Sequence, residues 1–324
     1  MSASSRKPIA ALSLDLDNLW SYKRADGQDD WESLESYLPT VVPSILEALS
    51  ELAMQATIFV VGKDAEIAEN EAPLRALAEA GHSIGNHSYL HEPWMHRFSL
   101  EAVQEDLDRS EAAIEALFGQ APRSFRAPGF SVSPQIVAEL ARRGYDYDAS
   151  EFPTFIGPLA RWAYFRSANL SDEEKAERAE QFGKFSDGFG PLRPYFWSGE
   201  FGDILEIPVT TFPLLKSPIH LTYVHYLAAV SEPLARAYFS TSLRLCRWLG
   251  VTPVILLHPL DFLASDAAPA LKQFPGIGGD TDKKRQFTQS LLRRVAAHFE
   301  PVTLCEFAGQ AASRVTRRRA LGAA

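Results

Sequence analysis

Short apolar runs alternate along the chain with longer amphipathic stretches that close on glycine. This rhythm restricts the chain to a parallel α/β fold, because parallel strands need a crossover helix between them. Ile9–Leu16 reads as the first strand. Leu38–Ala53 reads as a helix, with Val42, Ile45, Leu46, Leu49 and Leu52 on one face. A strand Ala56–Val61 follows, then a helix Asp64–Ala80 stopped by Gly81. His82–Asn86 is a short strand. Ser99 is placed to cap a helix that runs to Phe118 and ends at Gly119. Arg123–Arg126, Ser133–Arg143 (closed by Gly144) and Tyr145–Ala149 continue the alternation. It resumes with Ile204–Val209, Pro233–Leu249, Val251–Leu257, Asp282–Phe299 and Pro301–Leu304. So many strand-like runs with intervening helices predict a single β/α barrel-like domain spanning residues 1–324.

Two regions depart from the rhythm. Residues 150–203 are aromatic and irregular, apart from a charged helix expected at Ser171–Phe182, and read as an inserted lid-like segment. Residues 307–324 carry Arg314, Arg317, Arg318 and Arg319 and no acid. The plain expectation is a frayed basic tail. The sharper one is peripheral contact with an anionic membrane face. A formal net charge of −9 argues against a nucleic-acid partner. Two cysteines, Cys246 and Cys305, are too few for a disulfide framework or a thiolate metal site. The polar start and the lack of any run near the roughly 20 apolar residues of a span lead us to expect a cytoplasmic chain, at most touching the inner membrane face.

Ionisable residues recur where strands end. Asp15 and Asp17 are two apart at the end of an apolar strand, so they point to one side while Leu14 and Leu16 point to the other. Two crowded carboxylates need a cation, a shared proton or both; alone they could also be solvated turn acids. His87 and His91 follow the strand His82–Asn86. An i, i+4 imidazole pair can serve one metal, and with an aspartate it gives a two-His, one-carboxylate set that suits a divalent ion. Arg126-Ala127-Pro128-Gly129 places an arginine and a tight turn after another strand, which in isolation is an ordinary strand-end turn. His258 follows the apolar run Val254–Leu257. In β/α barrels, catalytic groups collect at this end of the strands.

In this order, these motifs resemble the polysaccharide deacetylase family, the group with the NodB homology domain. The resemblance runs over Ile9–Ala149, Ile204–Val209 and Val254–Pro259. It implies a distorted (β/α) barrel carrying an aromatic-rich insertion, and a metal-dependent hydrolase of N-acyl or O-acyl groups, mostly on amino sugars. By the same resemblance Asp17, His87 and His91 are the metal ligands and Asp15 is the general base. Arg126 positions Asp15, and His258 is the general acid. The backbone at Gly129, in the turn shaped by Pro128, helps hold the oxyanion. The implied ion is Zn2+, with Co2+ or another first-row metal as alternatives. The chain departs from the family pattern in two ways. Leu16 separates aspartates that many members keep adjacent, and Asn18 stands where they have glycine. The Asp–Trp motif that the family places near the acid histidine is not assignable, which leaves the partner of His258 open.

The substrate expected is an N-acetyl or N-formyl amino sugar, free or in a nucleotide- or lipid-linked precursor. The insertion's Phe152, Phe155, Trp162, Tyr164, Phe165, Phe182, Phe185, Phe189, Tyr195, Phe196 and Trp197 would either pack a lid or wall the substrate. His220 and His225 are poorly spaced for a shared metal and read as structural or substrate-contacting. Two other classes stand beside this one: an amidase or cyclic imidase acting on a non-sugar compound, and a non-catalytic binding member of the fold.

Overall fold

The computed structural model describes residues 7–25, 31–156, 185–269, 272 and 278–322. The strands are β1 Ile9–Leu16, β2 Thr57–Val60, β3 Ser83–Asn86, β4 Ser124–Phe125, β5 Tyr147–Asp148, β6 Tyr195–Gly199, β7 Gly202–Glu206, β8 Val254–Leu257, β9 Glu300–Thr303 and β10 Arg318–Ala320. Their order is β10-β6-β7-β5-β4-β3-β2-β1-β8, with β9 pairing the first half of β1. Every pair is parallel except the β6–β7 hairpin. The chain after β7 closes the ring. Val209 N–H donates to Glu151 O, and Val254 N–H to the Thr210 hydroxyl. The predicted distorted β/α barrel therefore forms.

Strand alternation decides what faces the barrel interior. Leu12, Leu14 and Leu16 of β1 pack outward with Ile58 and Val60 of β2 and Ile255 and Leu257 of β8. Helices α2 (Leu38–Ser50), α7 (Leu221–Leu249) and α8 (Thr281–His298) cover them, through Val42, Ile45, Phe239 and Leu291 among others. Each such side chain contributes about 1.5–3 kcal/mol on burial. The odd residues of β1 (Ala11, Ser13, Asp15) are left to the interior, where Ala11 packs with Phe59 and Tyr147.

Capping chemistry places several ends where the sequence puts them. The Ser99 hydroxyl accepts from Ala102 N–H at the start of α5 (Leu100–Phe118), which closes on a left-handed Gly119. Ser133 does the same for α6 (Pro134–Arg143).

Four expectations need correction. The helix expected at Asp64–Ala80 is broken into α3 (Gly62–Glu66), a 3-10 turn and α4 (Glu71–Glu79), because Asp64 turns inward and Asn70 bonds its carbonyl. The helix expected from Pro233 starts at Leu221; Ser231 is extended and marks a kink just before the proline. The insertion does not reach 203 as a separate segment, since 195–199 is strand β6. The basic end is not frayed. Leu304–Ala312 is helix α9, with Phe307 and Ala311 buried, and β10 pairs with β6. Arg318 bonds Asp203 and lies over Phe196, and Arg319 lies over Tyr195 and Trp197. The helix expected at Ser171–Phe182, with Trp162, Tyr164 and Phe165, lies outside the described residues. Among the described residues no helix is long and apolar enough to cross a membrane.

Candidate active site and metal centre

Sheet register assembles the site. Leu16 is level with Val60, Val60 with Asn86, Asn86 with Phe125, and Phe125 with Asp148. One residue further along each strand, Asp17, His87, Arg126 and Ala149 therefore share one level at the C-terminal rim. Leu14 is level with Leu257, so β8 brings His258 to the level of Asp15.

Asp17, His87 and His91 converge, with candidate ligand atoms all within 4.8 Å of one another. His87 Nε2 is 3.3 Å and His91 Nε2 is 3.1 Å from Asp17 Oδ1. His87 Nδ1 lies 2.7 Å from Arg126 O, and since a carbonyl only accepts, Nδ1 carries a hydrogen. The neutral ring thus turns a bare Nε2 toward a carboxylate oxygen that is buried and accepts no well-formed hydrogen bond. Two lone pairs cannot face each other there without a cation between them, and either a proton or a metal ion can fill that role. Burial works against charge on Asp17, but His91 and His87 hold its carboxyl well below the usual range. Burial likewise opposes charge on His87, and Asp15 and Asp17 override it, so the ring sits above its ordinary value. The donor set, one carboxylate and two imidazoles, fits a divalent first-row ion.

The loop carrying the histidines is held in an unfavourable backbone. Ser88 and His91 both have positive φ, at 62° and 51°. Such residues cost about 1–3 kcal/mol each and persist only where neighbours enforce them. Here α3 and α5 do so. Gly62 N–H donates to Ser88 O and Lys63 N–H to Tyr89 O, while both oxygens of Asp106 accept from Tyr89 N–H at 3.1 Å. The Ser88 hydroxyl accepts from His91 N–H.

Arg126 is fully buried. Its Nη1 donates to Asp15 Oδ1 at 2.8 Å and to Ser13 Oγ at 2.9 Å, and its Nε to Ala149 O. The guanidinium lies over the Phe59 ring at 4.6 Å. Asp15 Oδ2 is 4.0 Å from His87 Nε2, so this carboxylate flanks the metal candidates without joining them. Pro128–Phe130 forms a 3-10 turn with Gly129 at φ +58°. A Cβ on Gly129 would sit 3.0 Å from the Pro93 side chain. The turn's hydrogen bonds use the N–H groups of Phe130 and Ser131. Pro128 has no N–H and can only shape the turn.

His258 gains the partner that sequence reading left open. Its Nδ1 is 3.0 Å from Thr222 Oγ1, which donates to Asp261 Oδ1 at 2.9 Å. Asp261 Oδ2 accepts from His258 N–H at 2.8 Å. Asp261 lies three residues after His258, a local capping spacing that a sequence reading can recognise. Thr222 comes from the first turn of α7 and carries no local signal. His220 caps that helix, 5.4 Å ring to ring from His258. Its Nδ1 is buried without a hydrogen bond. Burial, with the charges of His258 and Arg126, keeps the His220 ring well below its usual value and so neutral. Phe130, Phe152, His220 and Tyr223 form a continuous row of rings beside it. His225 instead bonds Thr288 inside the core.

Residues 26–147 match the polysaccharide deacetylase family. The expected resemblance holds over that stretch, which contains His87, His91, Arg126, Pro128 and Gly129. Asp15, Asp17 and His258 lie outside it and take their places from the strand register. The chain is 32% identical over 100 residues to a peptidoglycan-N-acetylglucosamine deacetylase of Bacillus cereus, covering 31% of this chain and 34% of that one. It is 28% identical over 148 residues to a peptidoglycan deacetylase of Helicobacter pylori, covering 44% and 49%. The matches thus span about a third to a half of these curated relatives. A Mycobacterium smegmatis protein assigned as a polysaccharide deacetylase superposes with a TM-score of 0.62 at 21% identity, over 98% of this chain and 96% of its own. That likeness shows the shared fold over nearly the whole chain.

Proposed function

We propose that this chain is a divalent-metal-dependent hydrolase that removes an acetyl group from the nitrogen of an amino sugar. The observation that carries the reading is the unsatisfied Asp17 oxygen between two imidazoles, flanked by the buried Arg126–Asp15 pair. Asp17, His87 and His91 would hold the ion. When bound, Zn2+ or another first-row ion would supply Lewis-acid polarisation of the acyl group and of the attacking water.

The remaining work falls to side chains. Asp15 takes the proton of the attacking water, and Arg126 aims it through the Nη1–Oδ1 hydrogen bond. The N–H of Gly129 donates to the oxygen as charge develops on it. His258 protonates the departing nitrogen, which is needed because an amine anion is a very poor leaving group. The ring row from Phe130 to Tyr223 offers a face on which a sugar can stack. The amino-sugar class is supported by the names of the Bacillus and Helicobacter relatives. No observation favours the imidase alternative.

The test is acetate release from N-acetylglucosamine oligosaccharides by the Zn2+-loaded protein. Wild type releases acetate, and His258→Ala keeps its metal but loses about 100-fold or more in turnover. Hydrolysis of cyclic imides with no acetate from any N-acetyl sugar would overturn the reading.

A further inference from the structure

We infer that Thr222 is a relay between His258 and the buried Asp261 carboxylate, fixing the histidine in the Nδ1–H form so that Nε2 is the atom that delivers the proton. The inference deepens the proposed function and rests on the reading of His258 as the general acid.

The argument is one of hydrogen counting. A threonine hydroxyl has a single hydrogen and can accept as well. Asp261 has no exposure to solvent. Its Oδ1 accepts the Thr222 hydrogen and its Oδ2 accepts His258 N–H. The Asp261 N–H, the other donor near this ring, goes to His258 O at 3.0 Å. With its own hydrogen committed to Asp261, Thr222 Oγ1 meets His258 Nδ1 as an acceptor, so Nδ1 carries a hydrogen. The neutral ring then has its lone pair on Nε2.

The rest of the network holds Asp261 still. Thr288 Oγ1 donates to Asp261 O at 2.6 Å, and having spent its hydrogen it accepts from His225 Nε2 at 2.7 Å. Burial pushes the Asp261 carboxyl up, and His258, its N–H, Lys284 and Thr222 act against that. Tyr226 also faces Asp261, and its hydroxyl is pushed above its usual value by burial, Tyr223 and Asp261, which keeps it neutral. His220, beside His258, is neutral, and Arg126 lies beyond it.

The proton balance is simple. The imidazolium carries hydrogens on both nitrogens. As the C–N bond breaks, its electron pair stays on the leaving nitrogen, and the Nε2 proton moves there. The ring is left neutral with Nδ1–H intact, and the hydroxyl hydrogen of Thr222 stays on its oxygen throughout. Without Thr222 the ring is free to rotate and turn Nε2 away from the leaving nitrogen, the loss that follows removal of a group that orients a catalytic histidine.

Thr222→Val keeps the shape and removes the relay. Its turnover on N-acetylglucosamine oligosaccharides should fall about 10- to 100-fold, with KM and metal content unchanged. Turnover of 4-nitrophenyl acetate, whose leaving group needs no proton, should stay near wild type. Thr222→Ser should restore amide hydrolysis. A Val variant that keeps its amide turnover, or one that loses amide and ester turnover equally, overturns the relay. Nitrogen-15 NMR of labelled histidine, with the His258 signal assigned from a His258→Gln spectrum, reads the tautomer in the wild-type protein without relying on turnover or on the fold of the Val variant. A protonated Nδ1 and bare Nε2 on the neutral ring support the relay; the opposite tautomer refutes it. Inactivity of wild type on every acyl substrate would remove the proposed function and leave the tautomer to decide the relay.

Discussion

Asn18 shows how a single residue can absorb a departure from a family pattern. Its Nδ2 donates to Asp64 Oδ1 at 2.7 Å and to Ser36 Oγ at 2.8 Å, and its Oδ1 accepts from Leu19 N–H and Tyr37 N–H. The Tyr37 hydroxyl in turn bonds Asp17 O at 2.6 Å. The backbone just after the candidate ligand is thereby tied to α2 and α3, in place of the turn a glycine would make. Asp106 plays a comparable part on the histidine loop, and it yields a pH prediction. Burial pushes its carboxyl to about 7, although the N–H groups of Tyr89 and Leu90 oppose the rise. An acid whose folded value exceeds its unfolded one near 4 stabilises the fold fully below pH 4, and this contribution is lost as pH rises through 7. The loss amounts to at most about 4 kcal/mol. In urea unfolding of the metal-free protein, wild type should therefore lose more stability between pH 5 and pH 8 than Asp106→Asn does. Identical pH dependence in the two proteins would show that Asp106 does not titrate in this window. The spacing of Asp15 and Asp17 was legible because strand alternation is local. The role of Thr222 was not, because 36 residues separate it from His258 and only the packing of α7 on β8 brings them together.

At the scale of elements, local chemistry was readable wherever a cap or a glycine marked an end, as at Ser99 and Gly119. It misled where a side chain was called inward by a distant partner. The pattern through 64–80 is helical throughout, yet Asp64 leaves the helix face to receive Asn18 and Trp20 Nε1, and the helix breaks at Ile67. Pro233 reads as a helix start, but α7 reaches back to Leu221, which puts Thr222 and His220 beside the acid histidine. The basic end was misread because charge suggested a tail, while the arginines stack on the aromatic residues of β6. Truncation after Ala312 removes β10 and the packing of Leu321 on the cluster around Val137 and Ile204. The melting temperature should drop by about 1.5 °C or more, the shift that follows from losing about a kilocalorie in a chain this size. An unchanged melting temperature would mean that β10 contributes nothing to the fold.

At the scale of the whole molecule, the barrel makes the site by register alone. Strands far apart in sequence deliver Asp17, His87 and Arg126 to one level, and Asp15 and His258 to the next. Outward-facing leucines fix that register, since a slip of one residue would turn Asp15 into the helical layer and Leu14 into the interior. The central claim is that this level is a metal centre built on Asp17, His87 and His91. Metal content per chain, measured after exposure of the purified protein to Zn2+ and extensive dialysis, tests it most directly. The account predicts about one ion per chain in wild type, following the one-ion, two-imidazole site, and none in Asp17→Ala at the same fold content. Wild type that retains no ion, or Asp17→Ala that retains as much as wild type, would contradict it.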